Sequence, residues 1–126
     1  MLPDADAEYL HHRAQGHVLA NEGGMICVVI PQFELPGGFE TEHADLLLRI
    51  SPGYPDVPPD MWWFDPPISR CDRQAIPATD VYERHLGRTW QRWSRHLNPG
   101  QWRSGTDSLE SYIALVRRQL SEAATP

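Results

Sequence analysis

The chain has 126 residues, of which 40% are hydrophobic, and it carries a formal net charge of −6 at pH 7. This length predicts one globular domain over residues 1–126, and the composition excludes an intrinsically disordered chain. No apolar run approaches the ~20 residues of a membrane helix. Residues 1–6 are acidic and lack the features of a signal peptide, so we expect a cytoplasmic protein with no membrane partner.

The first half of the chain predicts a helix followed by strands joined by short links. The helix covers residues 5–14, and Asp4 is a plausible cap for it. Turns containing glycine or proline separate the apolar runs that follow. The predicted strands are residues 17–21, 25–30, 43–50 and 61–64. Alternation in the third strand puts Leu46, Leu48 and Ile50 on one face, which favours a four-stranded antiparallel meander.

The second half predicts a loop and then a helix. Residues 66–98 have few regular apolar repeats and predict a long irregular loop, which in a compact domain is often functional. Beyond it, apolar residues fall at helical spacing: Leu109, Tyr112, Ile113, Val116 and Leu120. Asp107 and Glu110 resemble a capping box at the start of this helix. The apolar stripe predicts packing on the sheet, and the fold class is therefore α+β.

Cysteine and lysine usage limits the possible chemistry. Cys27 and Cys71 form no disulfide framework, and no Cys/His group has the spacing of a metal site, so we expect neither a metal nor a cofactor. Cys27 lies in an apolar strand and is predicted to be a small buried side chain. All 11 basic residues are arginine. The chain therefore has no side-chain amine that could accept an isopeptide bond.

Positive charge is concentrated in one window, residues 84–106, which contains five arginines and no acid: Arg84, Arg88, Arg92, Arg95 and Arg103. The acidic remainder argues against a nucleic-acid partner and favours a basic patch for an acidic protein surface. Within the window, Arg88, Arg92 and Arg95 with Trp90 and Trp93 are residue types that protein interfaces favour. The alternative for the two tryptophans is that they anchor the loop.

The run Y-P-D-V-P-P, residues 54–59, contains three prolines and cannot be helical. It connects two predicted strands, and the pattern resembles the signature of the ubiquitin-conjugating enzyme (UBC-like) superfamily. The strand and turn of residues 24–39, Phe64 and the Trp102-led entry to the last helix follow the same outline. The resemblance covers roughly residues 17–120. It implies a UBC-like fold: an N-terminal helix, a four-stranded meander, a long active-site-type loop and a C-terminal helix.

The sequence departs from the superfamily where the chemistry is expected. An H-P-N motif and a catalytic cysteine should follow the fourth strand, but residues 87–96 read G-R-T-W-Q-R-W-S-R-H. This segment, together with residues 52–60, resembles the bacterial branch called prokaryotic family E. Proteins of that branch are found alongside a ubiquitin-like protein, an activating-enzyme homologue and a deconjugating peptidase. The resemblance therefore implies a ubiquitin-like protein and an activating-enzyme homologue as partners.

Hydroxyls beside histidines are candidates for the missing nucleophile. Ser94 with His96 as its base, or Thr89 with His85 as its base, could form an oxyester. The alternative is that these residues hold the loop in place through hydrogen bonds to the backbone. Cys71 is a further candidate carrier, although it lies earlier in the chain than the cysteine of the superfamily.

Two functions remain open from the sequence. The chain is either a transferase of a bacterial ubiquitin-like modification pathway, which receives or positions an activated ubiquitin-like C-terminus, or a non-catalytic adaptor of the same fold. The adaptor would bind the activating enzyme or the ubiquitin-like protein without forming a bond. An RWD-type interaction domain shares the proline motif, but the long loop and the Trp102 helix entry argue against it.

Overall fold

The structure, a computed structural model, describes residues 2–124. In this range there are two helices, α1 (Asp4–Arg13) and α2 (Leu109–Ala124). There are also six strands, β1 (Val18–Glu22), β2 (Met25–Glu34), β3 (His43–Ile50), β4 (Trp62–Asp65), β5 (Val81–His85) and β6 (Arg88–Trp93). The strands form an antiparallel sheet in the order β1-β2-β3-β4-β6-β5. None of the helices described here is long and apolar enough to cross a membrane.

The α+β class, the two terminal helices and the first four strands are confirmed. One difference is the length of β2, which continues past Pro31 to Glu34. The pairing with β3 shifts between Ile30 and Phe33, and Gln32 has a φ of 53°. Proline is tolerated at such a bulge, because the residue there makes no ladder hydrogen bond.

The four predicted strands pair in chain order, but within a sheet of six, and the prediction of a long irregular loop over residues 66–98 is wrong. This segment contains the hairpin of β5 and β6, which adds two strands to the sheet beside β4. A two-residue turn closes the hairpin, and Leu86 and Gly87 both have positive φ, at 56° and 76°. These values match the type I′ turn that two-residue hairpins favour.

The larger apolar cluster lies between the sheet and the helices. Leu46, Leu48 and Ile50 all contribute to it, as the alternation of β3 predicts. From the neighbouring strands come Trp62 and Trp93, and these two rings stack with their centroids 6.1 Å apart. α2 buries its apolar stripe in this cluster, as its amphipathic pattern predicts, and α1 contributes Leu10.

A second apolar cluster lies on the opposite face of the sheet. It is formed by Cys27, Val29, Leu47, Trp63 and Trp90, so the burial predicted for Cys27 is confirmed. Although β1 and β5 lie at opposite edges, the hairpin tip reaches β1, where the carboxylate of Glu22 accepts a hydrogen bond of 2.8 Å from the Leu86 amide. The sheet is therefore curled over the second cluster.

The proline connector is tied to the segment that precedes α2. Trp102 Nε1 donates to the carbonyl of Pro55 at 2.8 Å, and the partly buried Trp102 ring packs against the larger cluster. The Ser104 hydroxyl donates to Asp56 at 2.6 Å. These contacts bring the connector and the helix entry together.

Both predicted helix caps differ from those observed. Pro3, not Asp4, occupies the cap of α1, and it makes no side-chain cap hydrogen bond. At the start of α2, the buried Asp6 accepts a hydrogen bond of 2.9 Å from the Leu109 amide. The cap therefore comes from α1, a contact between residues 103 positions apart. Asp107 instead accepts from the Arg103 amide.

Candidate functional site

The candidate site is the β5–β6 hairpin and the residues that follow it, because it contains the site residues predicted from the sequence: Ser94, His96, Thr89 and His85. Ser94 directly follows β6, and its half-buried hydroxyl accepts a hydrogen bond of 3.0 Å from Arg92 Nε. The His96 ring lies elsewhere, with Nδ1 at 2.7 Å from Asp60 Oδ1. Across residues 2–124 no hydrogen bond joins Ser94 to His96. The structure therefore does not assemble this pair.

Thr89 and His85 also point apart. The register of the hairpin puts Thr89 opposite Arg84 and His85 opposite Arg88. Side chains alternate along a strand, so Thr89 and His85 lie on opposite faces of the hairpin. The catalytic roles of Ser94 and Thr89 stay predictions, and neither hydroxyl has its proposed base beside it.

His85 is held between two carboxylates. Its Nδ1 lies 3.3 Å from Glu22 Oε1, and its Nε2 lies 3.2 Å from Glu83 Oε1. Both ring nitrogens are engaged, so neither is free to take a proton from a hydroxyl. The hydrogen bond from the Leu86 amide, and then the hydrogen bond and charge of His85, lower the pKa of Glu22 despite some desolvation.

Glu83 is the centre of the polar contacts on this side of the hairpin. Trp63 Nε1 donates to one of its oxygens at 2.8 Å, and an Arg92 guanidinium nitrogen donates to the other at 2.9 Å. Burial acts to raise the pKa of Glu83, but the hydrogen bonds from Trp63, His85 and Arg92 outweigh it and lower the pKa. Arg92 is thus neutralised within the protein.

Arg88 and Arg95 of the predicted basic patch are also engaged internally. Arg88 donates to Asp65 and to Asp45, at 2.8 Å in each case, and its guanidinium lies 4.3 Å from the Trp90 ring centroid. Burial acts to lower the pKa of Arg88, but the two carboxylates outweigh it and raise the pKa. Arg95 donates to a backbone carbonyl, and burial lowers its pKa. Most of the positive charge in this segment is therefore structural.

The two tryptophans of the hairpin are fully buried. Trp90 Nε1 donates to the His85 carbonyl at 2.9 Å, and Trp93 Nε1 donates to Gln91 Oε1 at 3.1 Å. Trp90 packs in one apolar cluster and Trp93 in the other. They therefore anchor the hairpin to both faces of the sheet, and a role as exposed interface residues does not fit their burial.

Cys71 is an exposed thiol on the segment that follows β4. Its amide donates to the Gly38 carbonyl at 2.9 Å, which holds this segment against the turn after β2. A groove of about 470 Å³ adjoins it, and the neighbours Ser69 and Arg73 line this groove together with Asp80 and Tyr82. The preceding Arg70 pairs with Asp72 and lowers the pKa of that carboxyl.

Asp60 is the residue of this region that sequence reasoning missed. It ends the proline connector, 36 positions before His96, and nothing in the local pattern links the two. A carboxylate on Nδ1 fixes the orientation of a histidine ring, as in many catalytic sites, but both side chains here are exposed. No cluster of three or more His, Cys, Asp or Glu side chains suited to a metal ion occurs among residues 2–124.

Comparison with known proteins identifies a family. The family model described as Prokaryotic E2 family E matches residues 2–123. No curated protein and no solved structure matches the chain significantly. Because the family match spans nearly the whole chain, and because the UBC-like resemblance agrees with it, the chain belongs to prokaryotic E2 family E, an E2-like family.

Proposed function

We propose that this chain is a conjugating-enzyme-like protein of a bacterial ubiquitin-like modification pathway, and that it positions the activated C-terminus of a ubiquitin-like protein. The observation that carries the proposal is the E2-like family match over residues 2–123. The partners it requires are the ubiquitin-like protein and an activating-enzyme homologue. The order of helix, sheet and helix, with the proline connector between β3 and β4, supports the same assignment.

The geometry of the hydroxyls favours positioning over acyl transfer. A serine or threonine needs an adjacent base to act as a nucleophile near neutral pH. Ser94 accepts its hydrogen bond from Arg92, and His96 is engaged by Asp60. Thr89 projects from the face of the hairpin opposite His85. The segment in place of the cysteine loop is therefore a strand anchored to the core.

The rigidity of the hairpin supports a docking role. Arg88 bridges two carboxylates of the sheet, and Trp90 and Trp93 fix the two faces of β6. Side chains held in this way lose little further conformational entropy when a partner binds, which favours affinity. We expect the contact surface to include the exposed residues around the hairpin rather than its buried tryptophans.

A reconstituted reaction tests the proposal. The purified protein is combined with ATP, the activating-enzyme homologue and the ubiquitin-like protein of the same organism. We expect conjugation to depend on this chain and to persist in a triple variant, Cys71→Ala, Thr89→Ala, Ser94→Ala. If conjugation proceeds equally well without this chain, the protein is not part of the pathway and the proposal is wrong.

The second candidate function is acyl transfer, and the exposure of Cys71 after β4 is the observation that favours it. A thioester on Cys71 is cleaved by an excess of a small thiol, which takes the acyl group and releases the Cys71 thiol, and it is lost in Cys71→Ala. An oxyester resists that thiol, is cleaved by hydroxide and is lost in Ser94→Ala or Thr89→Ala. Because the chain contains no lysine, a stable amide adduct on the protein itself can form only at its N-terminal amine.

A further inference from the structure

The outer edge of β5 is an unpaired strand edge. The hairpin closes with His85 opposite Arg88, so alternation along the ladder points the main-chain groups of Tyr82 and Arg84 away from β6. Within residues 2–124, the main chain of these two residues makes no hydrogen bond beyond the β5–β6 pairing. Such an edge is a template for another strand.

The side chains along this edge are also exposed. Tyr82 is 52% exposed and Val81 is 39% exposed, which makes them two of the few large hydrophobic residues of the fold that face solvent. Asp80 and Arg84 are exposed, and the Asp80 carboxylate has no hydrogen-bond or ion-pair partner among the residues that the structure describes. Natural proteins protect exposed edges with charges or bulges or pair them with another strand.

The sequence of the edge is complementary to itself. Tyr82 and Arg84 face the same side of β5. Asp80, one residue before the strand, lines the same groove as Tyr82. If a second copy is aligned antiparallel about a two-fold axis at Tyr82, Asp80 of each copy lies opposite Arg84 of the other. Directly opposed charges of opposite sign stabilise a strand pair, and an aromatic pair at the centre adds to this. Because both copies use the same surface in this contact, the assembly stops at a dimer.

We infer that two copies of this chain pair antiparallel through the outer edges of β5, with Tyr82 at the two-fold axis. The inference rests on the strand edge and its charges, not on the proposed function, so each can fail without the other. A pairing this short buries less surface than a standard interface, so we expect a dissociation constant of roughly 100 μM.

Charge reversal tests the pairing. We expect Asp80→Arg and Arg84→Asp each to weaken self-association of the full chain by about ten-fold or more, because like charges then face each other at both ends of the contact. The double variant, and an equimolar mixture of the two single variants, restore association because opposite charges again face each other. Arg118→Asp, an exposed position on α2, is the control with a matched charge change.

Sedimentation equilibrium at low salt measures the association, and amide hydrogen exchange locates it. We expect the amide hydrogens of Tyr82 and Arg84 to exchange more slowly as the protein concentration rises. The Glu83 amide points toward β6, so its exchange rate should not change. A chain that stays monomeric up to about 1 mM overturns the inference. So does an association that charge reversal leaves unchanged, since another surface would then be responsible.

Discussion

Three fully buried tryptophans offer a matched test of the packing described here. Trp90 Nε1 donates to the His85 carbonyl and Trp93 Nε1 to Gln91, whereas the buried Trp62 Nε1 has no partner among the described residues. Replacing each tryptophan by phenylalanine makes the same change at a fully buried position: a smaller ring without the indole N–H. The three substitutions therefore differ mainly in the hydrogen bond that is lost.

The magnitudes follow from that difference. We expect each replacement to cost about 1–2 kcal/mol in packing. Trp90→Phe also loses the hydrogen bond from the indole to the His85 carbonyl, which costs about 1 kcal/mol more. Trp62→Phe removes an unsatisfied buried donor and regains about 1 kcal/mol. The two variants should thus differ by about 2 kcal/mol in free energy of unfolding, or about 8 °C in Tm for a chain of this size.

Urea and thermal unfolding followed by far-UV circular dichroism measure the effect without relying on tryptophan fluorescence. Trp93→Phe is the second hydrogen-bonded case and should resemble Trp90→Phe. Equal destabilisation by Trp62→Phe and Trp90→Phe would refute the reasoning, because it would mean that the indole hydrogen bonds contribute nothing to the difference.

Three further substitutions probe the polar contacts of the fold. The pKa of Glu22 is lower in the folded protein than in the unfolded chain. The ionised side chain therefore stabilises the fold fully above the ordinary pKa of 4.5, and this stabilisation is lost as the pH falls through the folded pKa. Glu22→Gln should therefore destabilise the protein at neutral pH, and urea titrations should show this effect shrinking as the pH falls below 4.5 and through the folded pKa. Gln91→Leu leaves both the amide and the carbonyl of Ile68 without their buried partner and should cost about 2–3 kcal/mol by the same assay. Asp6→Ala removes the acceptor for the Leu109 amide and should cost about 1–2 kcal/mol, with Asp6→Asn retaining most of the stability.

Helices and strands whose apolar residues recur at one regular spacing could be predicted from the sequence. The alternation of β3 fixes which of its residues face the helices, and the helical spacing of α2 fixes its buried stripe. The hairpin could not be predicted in this way. β6 mixes arginine, polar residues and tryptophan rather than apolar residues at one spacing. The carboxylates that neutralise Arg88 belong to Asp45 and Asp65, which are distant in sequence. The local sequence pattern does not predict these long-range ion pairs.

The same limit applies to the candidate site. Ser94 and His96 are neighbours in sequence, but the sheet register and the proline connector decide their contacts. Arg92 donates to the hydroxyl of Ser94, and Asp60 engages His96. The resemblance implies that residues 87–96 replace the cysteine loop, and this stays a prediction. The sequence could not show that this segment is a strand whose hydroxyls and histidines point to different partners.

The most direct test of the central claim is mass spectrometry of the protein after incubation with ATP, the activating-enzyme homologue and the ubiquitin-like protein. If the chain positions its partner without carrying it, native spectra show a non-covalent complex, and denaturing spectra show the unmodified 14.4 kDa chain. A denaturing spectrum in which the chain has gained the mass of one ubiquitin-like protein would contradict the account, as would native spectra without any complex.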